Sequence, residues 1–150
     1  MSNRKNAITV SLISTLLILG YYLINIFLMY QKGGLNSEEV FRLWAIVVIA
    51  SIVLNIAGNI LTNIVLNIVH AIKTNSKEEV RLLEDERDRL IELKGARVSY
   101  IVSSIGVLLA MLSFVLGQPA LVMFSLIIFF ALIAEIIGDL SQFYFDQKGA

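Results

Sequence analysis

The chain has 150 residues, of which 57% are hydrophobic and 16% are charged, and its mean hydropathy is +0.80. So apolar a composition predicts an integral membrane protein rather than a soluble domain. Twelve basic residues balance twelve acidic ones, so no excess charge indicates a nucleic-acid partner. The absence of Cys and the presence of a single His exclude disulfides, thiol nucleophiles and His-rich metal sites.

The first apolar segment is long enough to cross a bilayer, because about 20 residues at ~1.5 Å each span the ~30 Å hydrocarbon core. We predict an uncleaved transmembrane helix at 7–30, since the segment is too long for a signal peptide and no small-residue cleavage site follows it. Gly33 and Gly34 end this helix. Asn36 or Ser37 is then expected to cap the next one.

The second span, predicted at 40–72, carries an asparagine at every fourth position. Successive members lie about 40° apart around the helix axis, so the amides form a slowly winding row, the asparagine stripe. Hydrocarbon offers an amide no hydrogen-bond partner, so the stripe is expected to face other helices or water. Its members are Asn55, Asn59, Asn63 and Asn67.

The segment 73–97 is the one part of the chain that is rich in charge, with seven basic and seven acidic residues. Opposite charges three or four positions apart, such as Arg81 with Asp85 and Asp85 with Arg89, favour a helix. Gly95 is predicted to bend the chain before the third span. We therefore predict a charged helical segment outside the membrane.

Residues 98–134 contain no charged side chain, which is the length of two spans, and Gly117-Gln118-Pro119 divides them. The spans are predicted at 98–117 and 119–143. Small residues recur along the third span at steps of three and four, which favours close approach of another helix. They are Ser99, Ser103, Gly106, Ala110, Ser113 and Gly117.

Lys and Arg residues set the predicted orientation. Two precede the first span and seven lie in 73–97, whereas the connection at 31–42 has two and the turn at 117–119 has none. The positive-inside rule then places both termini and the charged segment in the cytoplasm, and the protein in the cell membrane.

Two acids in the fourth span are the candidate partners of the asparagine stripe. Asn59 lies 17 residues from Arg42 and Glu135 lies 16 from Pro119, so both are about 25 Å below the outer boundary at ~1.5 Å per residue. Intramembrane carboxylates usually face a bundle interior or water. We therefore expect Glu135 and Asp139 to face the lower part of the stripe.

Two interpretations of these polar groups stay open. In the first, they line a pathway open to the cytoplasm, with Glu135 binding a proton or cation. In the second, the amides hold helices together and Glu135 accepts hydrogen bonds near the inner boundary.

The run EDERDRLIELKGARVSY at 84–100 resembles the Asp-Glu-Arg signature of a family of small four-span prokaryotic membrane proteins of unknown function. In that family an acidic and basic cytoplasmic segment precedes a helix with a small-residue start. The resemblance implies no activity, and it singles out Asp85, Glu86 and Arg87 as candidate partner-binding positions.

The sequence thus predicts an all-α bundle of four transmembrane helices, forming a single domain with a charged cytoplasmic segment between helices 2 and 3. Nucleotide-binding, hydrolase, zinc-protease and calcium-loop motifs are missing, so no catalytic residue, cofactor or metal is expected. We expect a non-enzymatic assembly, accessory or regulatory subunit that contacts the lipid bilayer and either further copies or a larger membrane complex. The alternative is a small ion, proton or small-molecule transporter or channel using the asparagine stripe and Glu135.

Overall fold

The computed structural model describes residues 3–72 and 78–149, with the side chains of 78–85 and of several positions in 62–72 outside the description. Four helices follow one another: α1 (Asn3–Gln31), α2 (Ser37–Ile72), α3 (Glu78–Val115) and α4 (Ala120–Lys148). Each contains a stretch long and apolar enough to cross a membrane. The predicted all-α fold with four transmembrane helices is confirmed, and the described ranges contain no strand.

The two short turns form where the glycines predict them. Gly33 and Gly34 have φ values of 117° and 121°, and Gly117 has a φ of 99°, a region in which only glycine is unstrained. Asn36 rather than Ser37 caps α2, because its Oδ1 accepts a hydrogen bond from the Glu38 backbone N–H at 3.2 Å. These turns set α1 antiparallel to α2 and α3 antiparallel to α4.

The charged segment and the third span form one continuous helix of 38 residues, and residues 73–77 of the predicted segment lie outside the described part of the chain. The expected bend at Gly95 is absent. Gly95 instead lies against α4, where a Cβ atom on it would come within 3.0 Å of the Gly138 carbonyl oxygen. This glycine therefore allows two helix backbones to approach closely.

The small-residue face of α3 packs along α4, as its spacing predicts. Ala110 is completely buried, and a Cβ atom on Gly106 would overlap the Cβ and ring of Phe130. On α4, a Cβ atom at Gly138 would approach the Ser99 Cβ to 2.9 Å. Small residues on both helices thus make α3 and α4 the most closely packed pair among the described helices.

The apolar core of the described residues lies towards the turn between α1 and α2. It joins these two helices to the first half of α4, and α2 contributes only from its first turns. Beyond Ala50 most described side chains of α2 are exposed, so the bundle is open along the second half of this helix. The buried core residues are Ile18, Tyr22, Met29, Val40, Leu43, Val47, Ile128 and Leu132.

We predict that Gly106→Ala destabilises the protein, because the added methyl group would overlap the root of the Phe130 side chain, which cannot move without moving α4. Overpacking of this kind costs about 1–3 kcal/mol. Gly20→Ala is the matched control, since a Cβ atom there meets nothing within 4 Å and the gain in helix propensity is the same. Thermal unfolding in detergent should show a lower midpoint for Gly106→Ala alone; equal midpoints would contradict the close packing.

Candidate functional site

Polar side chains join α1 to α4 along a line that we call the polar seam. On α1 it contains Arg4, Ser11, Thr15 and Tyr22, and on α4 it contains Ser125, Glu135, Asp139, Gln142 and Asp146. In both helices these positions follow steps of three and four residues or their sums, the spacing that keeps one face against an antiparallel neighbour. The seam therefore reflects regular helix packing.

In the middle of the seam, the Ser11 Oγ donates a hydrogen bond to the Asp139 Oδ2 at 2.8 Å. Asp139 is only 9% exposed. Further along, the Tyr22 hydroxyl donates to the backbone carbonyl of Ser125. These bonds satisfy polar groups in the part of the bundle where lipid could not do so.

Ion pairs close the seam at the end of the bundle that holds both termini. Arg4 lies 2.9 Å from the Asp88 carboxylate and 3.4 Å from the Gln142 side-chain oxygen, which ties α1 to α3 and α4. Asp146 lies 3.4 Å from the Lys5 Nζ and 3.5 Å from the Arg87 guanidinium. The ends of three helices are thus joined by charge.

Beside the seam, a groove of about 240 Å³ opens between α1 and the second half of α2. Glu135 reaches it from α4 and is the one charged residue among the described residues that line it. Hydroxyl and amide groups come from both walls, and the remainder of the lining is largely apolar. The lining consists of Asn6, Ala7, Val10, Ser11, Ser14, Thr15, Ile18, Ser51, Leu54, Asn55, Gly58, Asn59, Leu61, Val65 and Glu135.

The carboxyl group of Glu135 lies beside the side chains of Thr15 on α1 and Asn55 on α2. Each of these residues also donates to a carbonyl oxygen one turn earlier in its own helix, Thr15 to Ser11 at 2.9 Å and Asn55 to Ser51 at 2.8 Å. The Asn55 amide has two N–H groups and can satisfy both acceptors at once. Glu135 is therefore the point where α1, α2 and α4 meet.

The structure divides the asparagine stripe into two parts. Asn55 and Asn59 line the groove with Glu135, whereas Asn63 and Asn67 are exposed on α2 and do not line it. Asp139 does not line the groove either, because it faces Ser11 in the seam. The structure therefore brings Glu135 to the first two amides, and it does not bring Asp139 to the stripe.

The three positions singled out by the Asp-Glu-Arg signature have different surroundings. The side chain of Asp85 lies outside the described part of the structure, and Glu86 is exposed. Arg87 makes an intramolecular contact, donating to the Asp146 backbone carbonyl at 2.9 Å. Glu86 and Arg87 are thus both exposed, and Arg87 also contacts α4.

Sequence reasoning did not identify Ser11 and Thr15 as neighbours of the α4 acids Asp139 and Glu135, nor Asp88 as the partner of Arg4 in the ion-pair cluster. A signal was present in the spacing. The positions 4, 8, 11, 15, 18 and 22 of α1 and 125, 128, 132, 135, 139, 142 and 146 of α4 follow alternating steps of three and four. Aligning the two rows in antiparallel fashion would have placed Ser11 by Asp139 and Thr15 by Glu135.

The arrangement can bind and orient a ligand, but its described side chains do not form a familiar catalytic centre. Within the described residues, no group of three or more His, Asp or Glu side chains is placed to hold a metal ion. The groove has one carboxylate, several hydroxyl and amide groups, and apolar walls. These are features of a binding site.

A paired-cysteine experiment tests the geometry of the groove, and the native chain has no Cys to interfere. We predict that Asn55→Cys combined with Glu135→Cys reacts with a short bifunctional thiol reagent in membranes, because the two residues interact across the groove. Asn67→Cys combined with Glu135→Cys is the control and should stay uncross-linked. Equal reaction of both pairs, or reaction of the control alone, would contradict the structure.

Comparison of the chain with known protein families, with curated proteins and with solved structures found no match in any of the three. The resemblance to the Asp-Glu-Arg family therefore stays a prediction, and the functional argument rests on the residues and their geometry.

Proposed function

We propose that this protein is a non-enzymatic membrane subunit that assembles with further transmembrane helices along the open side of α2. The observation that carries the proposal is the exposure of amide side chains on a half-helix that no other described part of the chain covers. Asn63 and Asn67 are both exposed there and lie outside the groove. Amides at membrane depth need partners, and interhelical hydrogen bonds are one common way to supply them.

The proposed orientation follows the distribution of basic residues. Both termini and the charged part of α3 lie at one end of the bundle, since Arg4 and Lys5 pair with Asp88 and Asp146 there. The positive-inside rule supports placing this end on the cytoplasmic side of the cell membrane. The α1–α2 and α3–α4 turns then face the outside.

The cytoplasmic part of α3 offers a second surface for a partner. Leu90 and Leu93 are 57% and 58% exposed, and the charged residues Glu86 and Arg97 lie on the same side of the helix at steps of three and four. Ile91, by contrast, is completely buried. A protein partner that contacts this segment would thus meet Glu86, Leu90, Leu93 and Arg97.

We predict that Asn63→Leu combined with Asn67→Leu weakens assembly, because it removes the amides from the open side of α2 and leaves the groove lining unchanged. The measurement is co-purification of two differently tagged copies from one membrane, together with cross-linking to any other protein. Asn25→Leu on α1 is the control, since this amide donates to the Tyr21 carbonyl of its own helix. Co-purification that is unchanged in the double variant would contradict the proposal, as would a strictly monomeric, partner-free native protein.

The groove supports a second candidate, transport of a small cation or proton. The specific observation is Glu135, a carboxylate at membrane depth that reaches an open groove, since such groups commonly mark transport pathways. In this candidate Asn55 and Asn59 line the pathway beside Glu135.

Proteoliposomes test the transport candidate. We expect entry of protons, followed with a pH-sensitive dye, or of radiolabelled tetramethylammonium to fall by about tenfold in Glu135→Gln, because the variant loses the charge that attracts the cation. Glu39→Gln on the opposite half of α2 is the control. Equal flux through native protein, Glu135→Gln and empty liposomes would remove the candidate.

A further inference from the structure

The acidic side chain that lines the groove, Glu135, has no basic partner within the described part of the chain. The two basic residues of α1, Arg4 and Lys5, are engaged by Asp88 and Asp146 at the end of the bundle. The Asn55 amide has a second N–H group that can donate to the Glu135 carboxylate, whereas the one Thr15 hydroxyl hydrogen is donated to the Ser11 carbonyl. Because no described basic side chain neutralises it, an ionised Glu135 makes the groove electrostatically complementary to a cation.

The remaining lining decides what kind of cation fits. Val10 and Ile18 form an apolar wall on α1, and Leu54, Leu61 and Val65 form one on α2. A bare metal ion would need several oxygen ligands from carboxylates, carbonyls or water, and no cluster of three acidic or His side chains is present among the described residues. Apolar walls around one carboxylate fit an organic cation with a hydrocarbon body.

The size and opening of the groove point to a small ligand that enters sideways. Its volume of about 240 Å³ exceeds that of a bare ion, and it lies between α1 and the half of α2 that leaves the bundle. A lipophilic cation first partitions into a bilayer with its charge near the headgroups. From that depth it could slide between the two helices without crossing a protein wall.

We propose that the groove between α1 and α2 binds a small lipophilic organic cation, with the Glu135 carboxylate as counter-charge and the Asn55 amide beside it. The apolar body of the ligand lies against the α1 and α2 walls. This inference rests on the transport candidate, because it concerns the same groove. It specifies the chemical class of ligand that the groove binds. It does not depend on assembly along the open side of α2.

The test uses the full chain in lipid nanodiscs with radiolabelled hexyltrimethylammonium as the probe, and empty nanodiscs for subtraction. We expect saturable binding to the native protein. Glu135→Gln keeps the shape of the side chain and should weaken binding by at least about tenfold, which corresponds to ~1.4 kcal/mol. The uncharged analogue 2,2-dimethyloctane, in which carbon replaces nitrogen, should not compete at equal concentration.

Two further variants separate binding in the groove from other effects. Glu39→Gln makes the same chemical change in a second cavity, lined also by Lys32 and Arg42, and should bind the probe within about twofold of the native protein. Gly58→Leu adds a side chain to the groove wall, where a Cβ atom meets nothing within 4 Å. It should weaken binding while Glu135 is still present.

Each outcome bears on the proposal. Equal affinity of native protein and Glu135→Gln, or full competition by the uncharged analogue, would overturn it. Equal loss in Glu39→Gln and Glu135→Gln would show a general effect of surface charge and would also overturn it. Probe binding without uptake into proteoliposomes would support the binding site and contradict the transport candidate. Unchanged co-purification of tagged copies in Glu135→Gln would show that assembly does not depend on the groove carboxylate.

Discussion

The absence of hydrogen-bond partners in hydrocarbon is the constraint on which this structure depends. Between α1 and α4 the chain meets it internally, since Ser11 donates to Asp139 and Tyr22 donates to a carbonyl of α4. No buried side-chain nitrogen or oxygen atom is left without a partner in the part of the chain that the structure describes. Polar groups that the chain does not bury lie instead in the groove and on α2, which is why both proposals concern that side of the molecule.

Because α3 and α4 pack closely against each other, the bundle does not need the second half of α2 to hold it together. Gly95, Gly106 and Gly138 let the two backbones approach until side chains of one helix touch the other's main chain. Together with the α1–α4 seam, this gives a three-helix unit that is held by steric fit, hydrogen bonds and ion pairs. The second half of α2 adds little to that unit, so it can present its side chains to the groove and to other helices.

The sequence predicted well what depends on neighbours along the chain. Hydropathy predicted four helices, glycines predicted both described turns, and the Asn36 cap and the small face of α3 follow from local spacing. The depth of Glu135 and its proximity to the asparagine stripe came from counting residues at ~1.5 Å each. Counting gives height along the membrane normal, but not the direction in which a side chain points around its helix.

The direction in which each side chain points around its helix explains the differences between expectation and structure. Asp139 lies one turn from Glu135 on the same helix face, yet it meets Ser11 because α1 rather than α2 covers that turn. Gly95 suggests a bend when read alone, but the opposing Gly138 makes it a contact between two helices. Leu90 and Ile91 are apolar neighbours in the sequence, and the packing of α3 leaves the first exposed and buries the second.

The winding of the asparagine stripe makes two roles compatible on one helix. Each step of four residues turns about 40° around the axis, so the direction changes by about 120° from Asn55 to Asn67. The first two amides therefore line the groove with Glu135, and the last two lie outside it. A helix docked along the outer part of the stripe would cover the open side of α2 without filling the space in front of Glu135. Assembly would then enclose the groove while leaving its carboxylate available to a cation.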